Sequence, residues 1–197
     1  MKNIFMLKKS ILFLFLLSAF TAEAANQQDL DKLIKLSTAT KAAGPDLSNA
    51  DLRNYQFSPE KNNFENANLS HTNLANANLS KINLANADLS YADLSHANLL
   101  QANLTNANLN HAILSDANLE EANLSGASLF ATILSRGNLS SANLSNADLS
   151  CANLNDANLA KANLLQANFS SATLVNTITT EIQNNNSVIY NHINCSG

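Results

Sequence analysis

Ala67-Asn68-Leu69-Ser70-His71, Thr72-Asn73-Leu74-Ala75-Asn76, Ala77-Asn78-Leu79-Ser80-Lys81: residues 67–81 repeat with a period of five. The phase holds without a break from Asn62 to Asn176. Its 23 pentads are centred at 64, 69, 74 and so on to 174, and the central residue is Leu 21 times and Phe twice. Two positions earlier stands Ala in 18 of the 23, and immediately before the centre stands Asn in 16 and Asp in 3. Upstream, Asp46-Leu47, Asp51-Leu52 and Gln56-Phe57 form three leading units, separated from the array by a two-residue slip within Ser58-Pro59-Glu60-Lys61.

This spacing excludes a helix, because positions five apart differ by about 140° at 3.6 residues per turn and would smear Leu over every face. Ala and Leu two apart share one side of an extended chain. The three-residue step from Leu to the next Ala breaks that alternation once per unit. The chain must therefore turn a corner every five residues, giving a polygonal solenoid filled with Leu. Burying each Leu is worth about 1.5–3 kcal/mol, so some twenty of them can offset chain entropy without a globular core.

Composition agrees with one unusual domain. The 197 residues are 46% hydrophobic and only 13% charged, with no Trp, 4 Gly and 2 Pro. Collagen-like, Pro/Gly-rich and coiled-coil classes are excluded. Lys2, Lys8 and Lys9 precede the apolar run Ile11–Leu17, and Ala22-Glu23-Ala24 offers small residues to a signal peptidase. Residues 1–24 thus read as a signal peptide, and the product as exported, periplasmic or secreted, with no stable membrane insertion. The remaining chain has 8 basic and 14 acidic residues, net −6, which disfavours nucleic acid as a partner. Over residues 25–44, Leu30, Leu33 and Ile34 form the apolar face of a short helix that should cap the solenoid before Gly44-Pro45. Residues 45–176 carry the repeats and 177–197 form a C-terminal tail.

The tract from Ala67-Asn68-Leu69-Ser70-His71 to Ala167-Asn168-Phe169-Ser170-Ser171 resembles the pentapeptide-repeat family, whose units read A-(D/N)-L-x-x. The resemblance covers about two thirds of the chain. It implies an all-β solenoid, a right-handed quadrilateral parallel β-helix of about six coils with 20 residues per turn. At a spacing of roughly 4.8 Å per coil the rod is about 30 Å long.

A period of 20 allows outward columns to be read. Asn66, Asn86, Asn106, Gly126, Asn146 and Gln166 suggest an amide ladder, and His96, Asp116, Arg136 and Asp156 an ion-pair ladder. His71, Tyr91, His111, Ala131, Cys151 and Ser171 gather chemistry-bearing side chains, but His71 and His111 stand two coils apart, about 9.6 Å, whereas zinc ligands lie about 2 Å from the metal. That column is expected to be solvated, with His111→Ala costing under about 0.5 kcal/mol. No catalytic residues, metal ligands or cofactor are expected, and the protein is not expected to be an enzyme. Ile113 and Ile133 replace the usual Asn one coil apart and, with Phe130, form a candidate contact patch for a protein partner. Ile82 in place of an inward Ala is expected to bulge its coil. Cys151 and Cys195 are a candidate disulfide in an oxidising compartment.

Two functions follow. One is a non-enzymatic structural or protein-binding solenoid. The other, implied by the resemblance, is inhibition or protection of a type II topoisomerase by mimicry of DNA. Against the second, the position before Leu is acidic in the long array only at Asp88, Asp93 and Asp148.

Overall fold

The computed structural model describes residues 44–60, 62–183 and 195. The expected signal peptide, and the capping helix except for its last position, lie outside the described residues. Within them, each pentad supplies one bridge residue, the one just before the central Leu, which pairs in parallel with its counterparts one coil away. Four flat faces result. The first ladder runs from Asp46 to Asn168, the second from Asp51 to Thr173, the third from Gln56 to Ile178 and the fourth from Asn63 to Gln183. The step is 20 residues, except for 22 in the pairs Asp46–Asn68, Asp51–Asn73 and Gln56–Asn78, where the slip at 58–61 is absorbed. Asn62 closes that enlarged corner, donating its N–H to the Ser58 carbonyl and accepting the Ser58 N–H on its side chain.

The coil does not stop at Asn176, where the sequence pattern fades. Ile178 donates to the Ala157 carbonyl, Leu159 donates to that of Ile178, and Gln183 pairs with Asn163. The expected tail from 177 therefore begins as further coil, held by backbone groups that any residue supplies.

Every central residue from Leu47 to Phe169 is at most 5% exposed, and the Ala residues line the same interior. After each central residue from Leu47 to Leu174 except Phe57, the chain makes a β-turn, in which the N–H of the following inward residue meets the carbonyl of the central one. Where that inward residue is Ala the distance is 2.9–3.1 Å; at Tyr55, Thr72, Ile82, Thr132 and Thr177 it is 3.2–3.3 Å. Ile82 thus opens its corner by a fraction of an ångström and stays fully buried, a smaller change than the bulge expected.

The third residue of each turn has positive φ, between 53° and 67°. Asn, Asp and His tolerate this left-handed region best among non-glycine residues. That is the role of Asn66, Asn86, Asn106 and Asn146, with Gly126 in the same column. Ala131 has φ 53° and no polar side chain to compensate. Ala131→Gly is expected to stabilise the protein by about 0.5–1 kcal/mol, as relief of the left-handed strain outweighs the added freedom of the unfolded chain. A urea melt checks the sign.

Asn before Leu has a different purpose. In the pentad Ala67–His71, four of five backbone N–H groups reach backbone carbonyls: Ala67 to Phe64, Asn68 to Pro45, Leu69 to Asp88 and His71 to Ser90. The fifth, Ser70 N–H, reaches the side-chain oxygen of Asn68 at 3.1 Å. The same bond, at 3.0–3.3 Å, forms at every Asn or Asp in this position from Asp46 to Asn168. An Asn or Asp side chain completes the backbone accounting that a single bridge per pentad leaves short.

Those side chains also form the amide ladder, which is not the column first expected. On the third face Asn98, Asn118, Asn138 and Asn158 each donate Nδ2 to the Oδ1 of the Asn one coil earlier, at 3.2–3.4 Å. On the fourth, Asn103, Asn143 and Asn163 do so at 3.0–3.1 Å. No such bond links Asn66, Asn86 and Asn106 among the described residues; the backbone angle accounts for them. Asn118→Ala removes three bonds, to Glu120 N–H, Asn98 and Asn138. It is expected to cost about 1–2 kcal/mol in denaturant melts, since water reaches part of the site.

Candidate functional site

The corner between the first and second faces carries stacked rings. Tyr91 lies between His71 and His111, with centroids 4.9 and 4.8 Å apart and planes within 4° and 9° of parallel. The coil spacing imposes that distance, and the shared positive φ gives the three residues the same backbone setting. One coil further the corner residue is Ala131, and the ring meeting His111 is instead Phe130, edge-on at 5.5 Å and 81°. The column expected to be simply solvated is thus an aromatic ladder. Its signal in the sequence is three ring-bearing residues exactly one coil apart, visible only once the period of 20 is known.

Beside this ladder, on the second face, Ile113 and Ile133 pair as bridge residues and are each 38% exposed. Tyr91 is 54% exposed. The two isoleucines, with Phe130 at the adjacent corner, place the three candidate contact residues together.

The isoleucines also interrupt the backbone accounting. Where Asn or Asp is missing before the central residue, another amide usually supplies the acceptor. Asn62 takes the Ser58 N–H in place of Gln56, Asn110 takes the Phe130 N–H in place of Ser128, and Asn155 takes the Val175 N–H in place of Thr173. At Ile113 and Ile133 none does. The N–H groups of Ser115 and Ser135 have no acceptor among the described residues, although the two hydroxyls lie 3.2 Å apart. Ile178, in the last coil, is the remaining departure of this kind.

The next corner column holds charge. Arg136 binds Asp116 through two hydrogen bonds of 2.7 and 2.8 Å, with His96 at 4.0 Å from the same carboxylate, while Asp156 accepts from Asn176. Hydrogen bonding to Arg136, helped by its charge, holds the Asp116 carboxyl below its ordinary value. That stabilisation is present above the unfolded-state pKa and is lost as pH falls through the lowered folded value.

Up the aromatic corner from Ala131, Cys151 is joined to Cys195 by a disulfide, with Cα atoms 5.6 Å apart. The Tyr91 ring separates His71 from His111, and among the described residues no group of three or more His, Cys, Asp or Glu could hold a metal ion. Among the described residues there is no helix long and apolar enough to cross a membrane.

Comparison with known proteins fits this architecture. The family profile described as Pentapeptide repeats (8 copies) matches residues 63–99, 97–136 and 137–176, more than half of the chain. No curated protein matches the sequence. Among solved structures, the chain is similar to HetL, a pentapeptide repeat protein involved in heterocyst differentiation regulation from the cyanobacterium Nostoc sp. strain PCC 7120, at 30% identity over 73% of this chain and 82% of that one, with a TM-score of 0.33. It is similar to QnrB1, a plasmid-mediated fluoroquinolone resistance protein, at 20% identity over 74% of this chain and 76% of that one, with a TM-score of 0.50. A pentapeptide repeat protein from the Arabidopsis thaliana thylakoid lumen matches at 24% identity over 68% of this chain and 77% of that one, with a TM-score of 0.27. The chain belongs to the pentapeptide-repeat family, whose fold is the right-handed quadrilateral β-helix.

Proposed function

We propose that the protein is an exported, non-enzymatic solenoid that binds another protein through the edge formed by Tyr91, His111, Phe130, Ile113 and Ile133. The observation that carries this reading is where apolar surface lies. Six large hydrophobic residues are exposed among those described: Leu165, Val175 and Ile178 belong to the last coils, while Tyr91, Ile113 and Ile133 share one edge of an otherwise polar rod. Concentrated apolar surface of this kind marks contact sites more often than isolated residues do. Export is supported by the basic and apolar N-terminal pattern and by the disulfide, a bond favoured in oxidising compartments.

A photoreactive side chain at position 133 is expected to give a discrete crosslinked product in the cell envelope, and one at Ser140, at the corner between the third and fourth faces, none. Loss of the product in Tyr91→Ser would tie it to this edge. Equal products from both positions, or none from 133, would refute the edge. Topoisomerase inhibition or protection by mimicry of DNA is the second reading; it has the fold shared with QnrB1 behind it. Recovery of the chain in the cytosol with Met1 intact would overturn export and favour that reading.

A further inference from the structure

We infer that the open N–H groups of Ser115 and Ser135, framed by Ile113 and Ile133, receive a carboxamide side chain, Asn or Gln, carried between apolar residues of the partner protein. This rests on the contact edge proposed above and gives the partner's chemistry. The donors are defined by comparison within the molecule. At every Asn or Asp from Asp46 to Asn168 the equivalent N–H has an oxygen two residues before it, and at Ser58, Phe130 and Val175 an amide from elsewhere replaces it. Only at Ser115 and Ser135, away from the end of the array, does this donor have no acceptor among the described residues.

The molecule also shows which ligand atom suits the position. Asn68 Oδ1 accepts both the Ser70 N–H at 3.1 Å and the Ser70 hydroxyl at 2.7 Å, and Asn168 does the same for Ser170. Ser115 and Ser135 present that N–H and hydroxyl pair twice, one coil apart, with the two hydroxyls already in contact. A carboxamide oxygen can take an N–H, and its NH2 can donate to a serine oxygen. A carboxylate can only accept, and it would approach a surface with Asp93 one coil below Ile113 and Asp116 beside Ser115. The Asp116 charge is shared with Arg136, but that of Asp93 has no ion pair among the described residues. Charge complementarity therefore favours a neutral acceptor. Apolar neighbours on the ligand would cover Ile113, Ile133 and the Phe130 ring, and exclusion of water there strengthens the central hydrogen bonds.

The test uses the full chain, labelled with 15N, and three blocked tripeptides: acetyl-Ile-Asn-Ile-amide and its counterparts with Asp or Leu at the centre. The Asn peptide is expected to shift the Ser115 and Ser135 amide resonances saturably, the Asp peptide several-fold more weakly and the Leu peptide not saturably. In the Ile113→Asn/Ile133→Asn variant, which restores the residue found at most equivalent positions, the shifts should be lost because the donors are filled from within. Equal effects of all three peptides, confined to Tyr91 and Phe130, would overturn the carboxamide assignment while leaving the contact edge intact. Saturable Asn-peptide shifts that survive in the double variant would also overturn it. No shift at any of these residues would overturn it as well, and the photocrosslink from position 133 then decides the fate of the edge separately.

Discussion

Leu109→Asp is expected to abolish the folded state, costing at least about 4 kcal/mol. Leu109 is fully buried, stacked in register with Leu89 and Leu129 along the first face. An aspartate there meets leucine above and below. Every described Lys and Arg, namely Arg53, Lys81, Arg136 and Lys161, is on the outside. Neutralising the carboxyl by raising its pKa would still leave a polar group unsatisfied in an apolar column, so acidification should rescue little. Leu109→Ala isolates the packing contribution and should cost about 2–5 kcal/mol from the cavity alone. His111→Ala, two residues on and outward, is the control. It removes stacking on Tyr91 and the edge contact with Phe130, so about 1 kcal/mol is expected, more than an isolated surface histidine would give. Far-UV circular dichroism and urea melts of the three variants measure the order. Similar midpoints for Leu109→Asp and His111→Ala would mean that inside and outside are reversed.

The contrast between Leu109 and His111 shows what the sequence discloses. Leu109 is one of more than twenty copies of the same choice, and repetition makes its inward position readable from a five-residue window. The contact of His111 with Tyr91 depends on a register of 20, a number the pentad alone does not contain and which entered through the family resemblance. The amide ladder was legible as a preference for Asn but was first placed in the wrong column. Asn occurs at two positions of the unit for unrelated physical reasons: left-handed backbone at Asn66, and acceptance of the Ser70 N–H at Asn68. Residues 177–183 were illegible as coil because Thr177, Ile178 and Thr179 do not match Ala, Asn and Leu, whereas backbone bridging does not depend on the match. Ile113, Phe130 and Ile133 stood out as departures, yet the cost of the departures, two N–H groups without acceptors, emerges only from counting hydrogen bonds.

The disulfide should matter most at the C-terminal end of the rod. Interior coils are covered on both sides, and their inward Ala and central Leu residues are buried. In the last coil Ala172 and Leu174 are only partly buried, Val175 is 62% exposed and Ile178 49%. A solenoid frays from such an end, because each coil is stabilised by its neighbours and the terminal one has a neighbour on one side only. Cys195 is bonded back to Cys151, closing a sequence separation of 44 residues that includes this coil. Closing a loop of that length restricts the unfolded chain by about 4 kcal/mol on the entropic account. Cys151→Ser/Cys195→Ser is a clean comparison, since Ser171 already occupies the equivalent corner one coil later with φ 57° against 60° at Cys151. The variant should exchange the amide protons of Thr173, Ile178 and Gln183 with solvent much faster, while those of Leu89, Leu109 and Leu129 change little. Its global unfolding should be easier by up to about 4 kcal/mol, less if the end coil melts separately from the rest. Intact mass of the purified, unreduced protein supplies the premise. Two free thiols on that protein would remove the bridge, and unchanged exchange at Ile178 and Gln183 would show that the last coil does not depend on it.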